Sequence, residues 1–158
     1  WRSITMEREA IDRFFAQSSF VVLGASRSGT KFGNMVVKEL SDKGLTVYQV
    51  NPEADEIAGR PCYRSLSALP QTPGSAIVSV SSERALAAVQ EVYDAGIRNI
   101  WLQQGISSPE ALRFCEEKGV NVVSGRCVMM FAEPVDSIHK FHRGLAKLFG
   151  RYPRAATA

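Results

Sequence analysis

A glycine-rich segment at residues 24–33 carries the residue types that hold phosphate groups. The segment reads Gly-Ala-Ser-Arg-Ser-Gly-Thr-Lys-Phe-Gly, follows a short apolar strand-like run and leads directly into a helical pattern. Glycines let the backbone approach a ligand closely, and the start of the following helix offers unpaired N–H groups to an anion. The hydroxyls of Ser26 and Thr30 and the charges of Arg27 and Lys31 also suit phosphate oxygens. We therefore predict a phosphate-binding loop; the alternative is a tight turn with two solvated cations.

The spacing of the glycines differs from that of the dinucleotide fingerprint G-x-G-x-x-G. Gly24 is followed by Gly29 and Gly33, at wider intervals. An NAD-binding unit also places an acidic residue near the end of the second strand, where this chain has the neutral Asn51. Glu53 lies close enough in sequence to keep NAD(P) as the second choice of cofactor.

Other reactive side chains do not form a recognisable catalytic set. Cys127 has no adjacent histidine or acid and is predicted to be a structural cysteine, whereas its neighbour Arg126 is the better candidate for contact with an anion. His139 and His142 lack the cysteines and carboxylates that would complete a metal site, so no metal is expected. The sequence contains no G-x-S-x-G elbow and no evident acid/base pair of carboxylates. A binding role is therefore favoured over catalysis; the alternative functions are an NAD(P)-dependent oxidoreductase and a nucleotide-binding interaction subunit.

Short β-branched runs alternate with helical segments, which predicts βαβ units around a buried parallel sheet. We expect one doubly wound α/β domain over 1–158, with helices on both faces of a mainly parallel, five-stranded sheet. Its core is expected at about 15–133, a C-terminal helix at 136–149 and a tail at 151–158. The predicted strands are Phe20–Leu23, Thr46–Val50, Ala76–Val80, Asn99–Leu102 and Asn121–Val123. The predicted helices before the C-terminal one are Met6–Ala16, Asn34–Lys43, Glu83–Ala95 and Pro109–Lys118.

Composition narrows the range of partners. The formal charge is +3, from 19 basic and 16 acidic residues that are scattered along the chain, so nucleic acid is not expected as a partner. The three cysteines show no metal or redox spacing, which favours reduced thiols and a cytoplasmic location. No apolar run approaches the roughly 18 residues of a membrane span.

The C-terminal helix is predicted to be amphipathic, with an apolar stripe and a basic face. We expect its apolar side to dock on the parent domain; attachment to a membrane surface or to another protein is the alternative. The sequence does not decide whether the chain forms a homo-oligomer or binds a protein partner.

Four separated motifs together resemble the small stand-alone CoA-binding proteins. They are Gly24-Ala25-Ser26 through Lys31-Phe32-Gly33, Val50-Asn51-Pro52, Trp101-Leu102-Gln103-Gln104-Gly105 and Arg126-Cys127-Val128-Met129. The matching region, about Phe15 to Glu133, is also similar to the N-terminal CoA-binding domain of the succinyl-CoA synthetase α subunit. The resemblance implies a Rossmann-like fold and coenzyme A or an acyl-CoA as the small-molecule cofactor.

The resemblance also implies roles for individual residues. Gly24, Ser26, Lys31 and Gly33 would surround the diphosphate, Asn51 and Pro52 would border the adenosine, and residues after the third strand would line the opposite wall. The complete set of candidate cofactor-binding residues is Gly24, Ala25, Ser26, Arg27, Thr30, Lys31, Phe32, Gly33, Asn51, Pro52, Val80, Ser81, Ser82, Arg84, Gln104, Gly105 and Arg126. In the synthetases the phosphorylated histidine lies in a further domain that has no counterpart here, so a complete ligase is not expected.

Overall fold

Seven strands and four helices make up the computed structural model, which describes residues 4–132. The strands are β1 Ser19–Leu23, β2 Thr46–Val50, β3 Glu56–Ile57, β4 Arg60–Pro61, β5 Ser75–Val78, β6 Asn99–Gln103 and β7 Asn121–Arg126. The helices are α1 Ile4–Phe15, α2 Phe32–Asp42, α3 Ser82–Asp94 and α4 Pro109–Glu117, with short 3-10 turns at Leu66–Ala68 and Val128–Met130. Each strand and helix predicted within this range is present, with bounds shifted by a few residues.

Five of the strands form one parallel sheet in the order β2-β1-β5-β6-β7. The chain first builds β2 beside β1 and then crosses to the other side of β1 to add β5. In doubly wound sheets such a reversal opens a crevice at the carboxyl ends of the two strands that flank it, here β1 and β5, and ligands bind there. The predicted five-stranded, doubly wound α/β architecture is confirmed, and the topology directs attention to the end of β1.

Two apolar layers enclose the sheet. Helices α1 and α2 cover one face, where Phe14, Phe20 and Trp101 are fully buried, and α3 and α4 cover the other. The indole Nε1 of Trp101 donates a hydrogen bond of 2.8 Å to the carbonyl oxygen of Arg126, so its one polar atom is satisfied inside the core. Trp101 is therefore a core residue rather than a surface for stacking.

A small antiparallel hairpin, β3–β4, lies between β2 and β5, where no strand was predicted. Its turn is formed by Ala58 and Gly59, which both have positive φ, the arrangement that two-residue hairpins favour. The buried amide Nε2 of Gln49 donates to the carbonyl oxygens of Ile57 and Arg60, each at 3.1 Å, and thereby fixes the hairpin to β2. Strands of two residues are too short to show an alternating pattern, which is why the hairpin was not predicted from the sequence.

The predicted C-terminal helix at 136–149 and the tail at 151–158 lie outside the described residues, and so do both histidines. Within residues 4–132, no helix has the length and apolar character needed to cross a membrane. The same range holds no cluster of side chains that could ligate a metal ion.

Candidate functional site

A cleft with a volume of about 870 Å³ opens where β1, β2 and β5 end. It lies at the crevice that the reversal of strand order creates. Among its lining residues are these predicted ones: Gly24, Ala25, Ser26, Arg27, Lys31, Phe32, Gly33, Asn51, Pro52, Val80, Ser81 and Arg84. The glycine-rich loop forms one wall, the segment after β2 forms the rim, and the first turns of α3 form the other wall.

Two glycines allow the loop to pack against its surroundings with no room for a side chain. Gly24 has a φ of +116°, and a Cβ atom added there would lie 1.9 Å from the carbonyl oxygen of Ser79. A Cβ added to Gly33 would lie 2.7 Å from the carbonyl oxygen of Gly24. The end of β1, the segment after β5 and the first turn of α2 are therefore in direct backbone contact, which requires glycine at both positions.

Asn34 holds the loop in shape from beneath. Its Oδ1 accepts hydrogen bonds from the backbone N–H of Ser26 at 3.0 Å and of Lys31 at 3.1 Å, and its Nδ2 donates to the carbonyl oxygen of Ser26 at 3.0 Å. The side chain is buried, so these bonds are shielded from water.

Sequence analysis did not single out Asn34. It is the third residue of α2, the position from which a side chain can bond back to the N–H of the residue before the helix. This position in the helix could have indicated the role of Asn34 from sequence alone. The residue before the helix is Lys31, however, and not the serine or threonine that normally marks such a capping box.

Two free donors of the loop are the backbone N–H groups of Phe32 and Gly33. Both residues open helix α2 and line the cleft, and within residues 4–132 neither N–H has a protein acceptor. The N–H of Lys31, by contrast, is already bonded to Asn34. The first turn of a helix carries a partial positive charge, so these two groups have the chemistry that suits an anion.

Hydroxyl groups continue along the exposed side of the loop. The Oγ of Ser28 lies 3.0 Å from the Oγ of Ser26 and 2.9 Å from the Oγ1 of Thr30. Thr30 is not among the residues that line the cleft, whereas Ser26 is. The chain of hydroxyls therefore reaches the cleft through Ser26.

The segment after β2 is tied to the glycine-rich loop at two points. The amide Nδ2 of Asn51 donates to the carbonyl oxygen of Ala25 at 3.0 Å, while its Oδ1 accepts from the N–H of Glu53 at 2.9 Å. The guanidinium of Arg27 forms an exposed ion pair of 3.2 Å with the carboxylate of Glu53. The neutral side chain of Asn51 thus holds both the glycine-rich loop and the segment after β2 in place.

Charges in the cleft are distributed unevenly. Arg27 and Lys31 lie on the glycine-rich loop, whereas the wall formed by α3 carries the two carboxylates of Glu83 and Glu91 and one cation, Arg84. Because like charges repel, the phosphate groups of a ligand are favoured on the loop side of the cleft.

Five predicted residues do not line the cleft: Thr30, Ser82, Gln104, Gly105 and Arg126. The guanidinium of Arg126 is held by the carboxylate of Glu7, through Nε at 2.7 Å and Nη2 at 3.2 Å. The Oγ of Ser82 accepts a hydrogen bond from the backbone N–H of Ser107 at 2.9 Å. Contact of these five residues with a cofactor stays a prediction.

Neither Cys62 nor Cys127 lines the cleft. Cys62 is buried beneath the glycine-rich loop in a small cluster with Ala25, Ala54 and Ile57, and this burial raises the pKa of its thiol. Cys127 is partly buried and packs against the apolar layer beneath α1 and α2. A thiol with a raised pKa stays protonated at neutral pH and is a poor nucleophile.

The family model described as a CoA binding domain matches residues 18–133. Among curated proteins, an ADP-forming acetate–CoA ligase of Archaeoglobus fulgidus is 32% identical over 130 residues, which cover 76% of this chain and 19% of the ligase. The uncharacterized protein YneT of Bacillus subtilis is 31% identical over 110 residues, which cover 68% of this chain and 79% of YneT. The chain therefore spans about a fifth of the ligase and most of the smaller protein.

Solved structures share the fold at similar levels of identity. A conserved hypothetical protein from Pyrococcus furiosus is 38% identical with a TM-score of 0.67, and the match covers 72% of this chain and 98% of that one. A dinucleotide-forming acetyl-coenzyme A synthetase from Candidatus Korarchaeum cryptofilum is 28% identical with a TM-score of 0.62, and the match covers 72% of this chain and 27% of the synthetase. The same domain thus occurs both in small proteins and as part of larger enzymes.

Proposed function

Since the chain belongs to the CoA-binding domain family, we propose that it binds coenzyme A or an acyl-CoA in the cleft at the carboxyl ends of β1, β2 and β5. The diphosphate lies against the glycine-rich loop and the first turn of α2, and the adenosine lies near Asn51 and Pro52. In this proposal the domain binds its ligand without chemical turnover.

One observation carries the assignment of the diphosphate position. The N–H groups of Phe32 and Gly33 have no acceptor among the described residues, and the side chains of Arg27 and Lys31 lie on the same wall of the cleft. Two oriented donors, a helix N-terminus and two cations together favour a group that carries several negative charges. The diphosphate of CoA is such a group.

The dimensions of the cleft also suit the ligand. Its volume of about 870 Å³ lies within the range of roughly 300–1,000 Å³ typical of cofactor sites. The apolar side chains of Val80 and Ala87 on the wall opposite the loop provide contact surface for the uncharged parts of the molecule.

A role in binding without turnover is supported by the side chains that line the cleft. No cysteine of residues 4–132 lines it, and the Oγ of Ser26 lies against the Oγ of Ser28 rather than against a base. The buried groups around the loop, above all Asn34, are used to hold backbone in place.

The test is a titration of the purified chain with CoA, acetyl-CoA, NAD and NADP, followed by calorimetry and by thermal unfolding. We expect CoA or acetyl-CoA to bind and to raise the free energy of unfolding by about 2.7 kcal/mol at a hundredfold excess over Kd. Binding of NAD or NADP without binding of CoA would overturn the proposal. So would the absence of any response to all four compounds.

The substitution Lys31→Glu is expected to weaken CoA binding about tenfold, because it replaces a cation in the cleft by a group that repels phosphate. The free energy of unfolding should change little, because the side chain is exposed. Calorimetry measures the affinity and urea unfolding measures the stability.

Lys38→Glu is the matched control for this substitution. Lys38 is an exposed lysine on helix α2, the helix that Lys31 precedes; it pairs with Asp42 at 2.6 Å and does not line the cleft. The Lys38→Glu variant undergoes the same change of charge, and its affinity for CoA should stay close to that of the unsubstituted chain. If both variants lose affinity equally, Lys31 is not part of the site.

A further inference from the structure

An arginine that the motif analysis did not include, Arg64, lines the cleft beside the segment after β2. We propose that its guanidinium selects ligands that carry a phosphate on the adenosine ribose, so that the site prefers CoA to dephospho-CoA. CoA has three phosphate groups, two in the diphosphate and one on the 3′ oxygen of the ribose, and dephospho-CoA lacks only the third. This inference rests on the proposed function and extends it to the choice between two closely related ligands.

The position of Arg64 is set by three hydrogen bonds. Its Nε donates to the Oδ1 of Asp55 at 2.8 Å and its Nη2 donates to the Oδ2 at 3.2 Å, which is a bidentate pair. Its Nη1 donates to the carbonyl oxygen of Pro52 at 3.4 Å. A flexible side chain is thereby held in one place on the rim, next to the residue that the resemblance assigns to the adenosine.

Arg64 keeps donors available for a ligand. A guanidinium has five N–H groups, and each terminal nitrogen retains one after the contacts to Asp55 and Pro52 are made. The side chain remains largely exposed, so those donors can be reached from the cleft. Two N–H groups on a planar cation match the oxygens of a phosphate.

Asp55 retains its charge under ordinary conditions. The guanidinium of Arg64 lowers the pKa of the Asp55 carboxyl, mainly through the hydrogen bond between them. The carboxylate therefore stays ionised at neutral pH and continues to orient Arg64. Asp55 acts as a positioning residue, because it touches Arg64 rather than the ligand.

The other cations of the cleft are less well placed for a third phosphate. Lys31 and Arg27 lie on the glycine-rich loop, where the diphosphate is proposed to bind, and Arg27 is also paired with Glu53. Arg84 belongs to helix α3 on the opposite wall. Doubly wound domains that bind a phosphorylated ribose use an arginine near the end of the second strand, and Arg64 occupies that region.

The test compares the Kd values of CoA and dephospho-CoA, measured by calorimetry, for the unsubstituted chain and five variants. The unsubstituted chain should bind CoA about tenfold more tightly than dephospho-CoA, as expected for one charge-assisted contact. Arg64→Met should bring the ratio close to one by weakening CoA alone. Arg64→Lys should retain part of the preference, because the charge remains while the bidentate geometry is lost. Asp55→Asn should also lower the ratio, because Arg64 loses its anchor.

Arg60→Met is the matched control. Arg60 is an arginine on the adjacent hairpin strand β4, its guanidinium lies 3.6 Å from Asp42, and it does not line the cleft. The ratio of the Kd values for dephospho-CoA and CoA should be the same in Arg60→Met as in the unsubstituted chain. A ratio is insensitive to a general loss of folded protein, because both ligands would be affected alike.

The outcomes separate this inference from the proposed function. If the unsubstituted chain binds both ligands equally, or if Arg64→Met keeps the full preference, the role of Arg64 is overturned while CoA binding stands. If Arg27→Met abolishes the preference and Arg64→Met does not, the third phosphate is read by the glycine-rich loop and the inference is again overturned. If neither ligand binds, the proposed function itself fails.

Discussion

Replacement of Gly24 by alanine is expected to destabilise the fold by about 4 kcal/mol or more and to abolish CoA binding. The new Cβ atom would lie 1.9 Å from the carbonyl oxygen of Ser79, which belongs to the backbone and cannot rotate away as a side chain could. The φ of +116° adds strain for any residue with a side chain. Urea unfolding measures the stability, and calorimetry with CoA measures the affinity of the folded fraction.

Gly44→Ala separates the two causes. Gly44 also has a positive φ, of +85°, but a Cβ atom added there meets nothing within 4 Å, and the residue lies outside the cleft. We expect a loss of only about 1 kcal/mol in stability and an unchanged affinity for CoA. Equal stability of the two alanine variants would contradict the close backbone packing described at the end of β1.

Asn34→Ala is expected to lower the affinity for CoA by more than about tenfold and the free energy of unfolding by about 3 kcal/mol, or about 1 kcal/mol for each of three hydrogen bonds. The N–H groups of Ser26 and Lys31 and the carbonyl oxygen of Ser26 would lose their partner. The loop would then sample many conformations, and ligand binding would have to order it again. Calorimetry and urea unfolding measure the two effects separately.

Asn99→Ala provides the comparison for this variant. The Nδ2 of Asn99 donates to the carbonyl oxygen of Gly74 and its Oδ1 accepts from Asn121, so the variant also loses buried hydrogen bonds. Asn99 begins β6 and therefore lies at the opposite edge of the sheet from the cleft. The Asn99→Ala variant should lose stability but keep its affinity for CoA. Undiminished affinity in Asn34→Ala would show that the loop does not need this clamp.

The sheet and helices could be predicted because the determining signals are local. Strands such as β1 are continuous apolar runs, as expected for strands buried on both faces, and Pro109 after the capping Ser108 marks a helix start. The glycine-rich loop was also recognisable, because strand, loop and helix follow one another in sequence. Most of the cleft is built from that one contiguous segment and from the ends of strands whose parallel order was expected.

The remaining features depend on contacts between residues whose pairing has no sequence pattern. Arg64 is placed by Asp55, nine residues earlier across the β3–β4 hairpin, and that hairpin was not predicted. Arg126 was assigned to an anion from its place after the fifth predicted strand, but its guanidinium lies against Glu7, 119 residues earlier. The type and order of residues indicate which groups can bind a phosphate, while their free or occupied state is decided by tertiary packing.

The ion pair between Arg27 and Glu53 has a consequence for the cleft before any ligand arrives. Both side chains are 66% exposed, and pairs of this kind contribute only about 0–1 kcal/mol to stability. Glu53 therefore behaves as a built-in counter-ion that is held weakly. In the absence of a ligand, Glu53 reduces the electrostatic repulsion between Arg27 and Lys31. A phosphate group that enters the cleft can displace its carboxylate into water at little energetic cost.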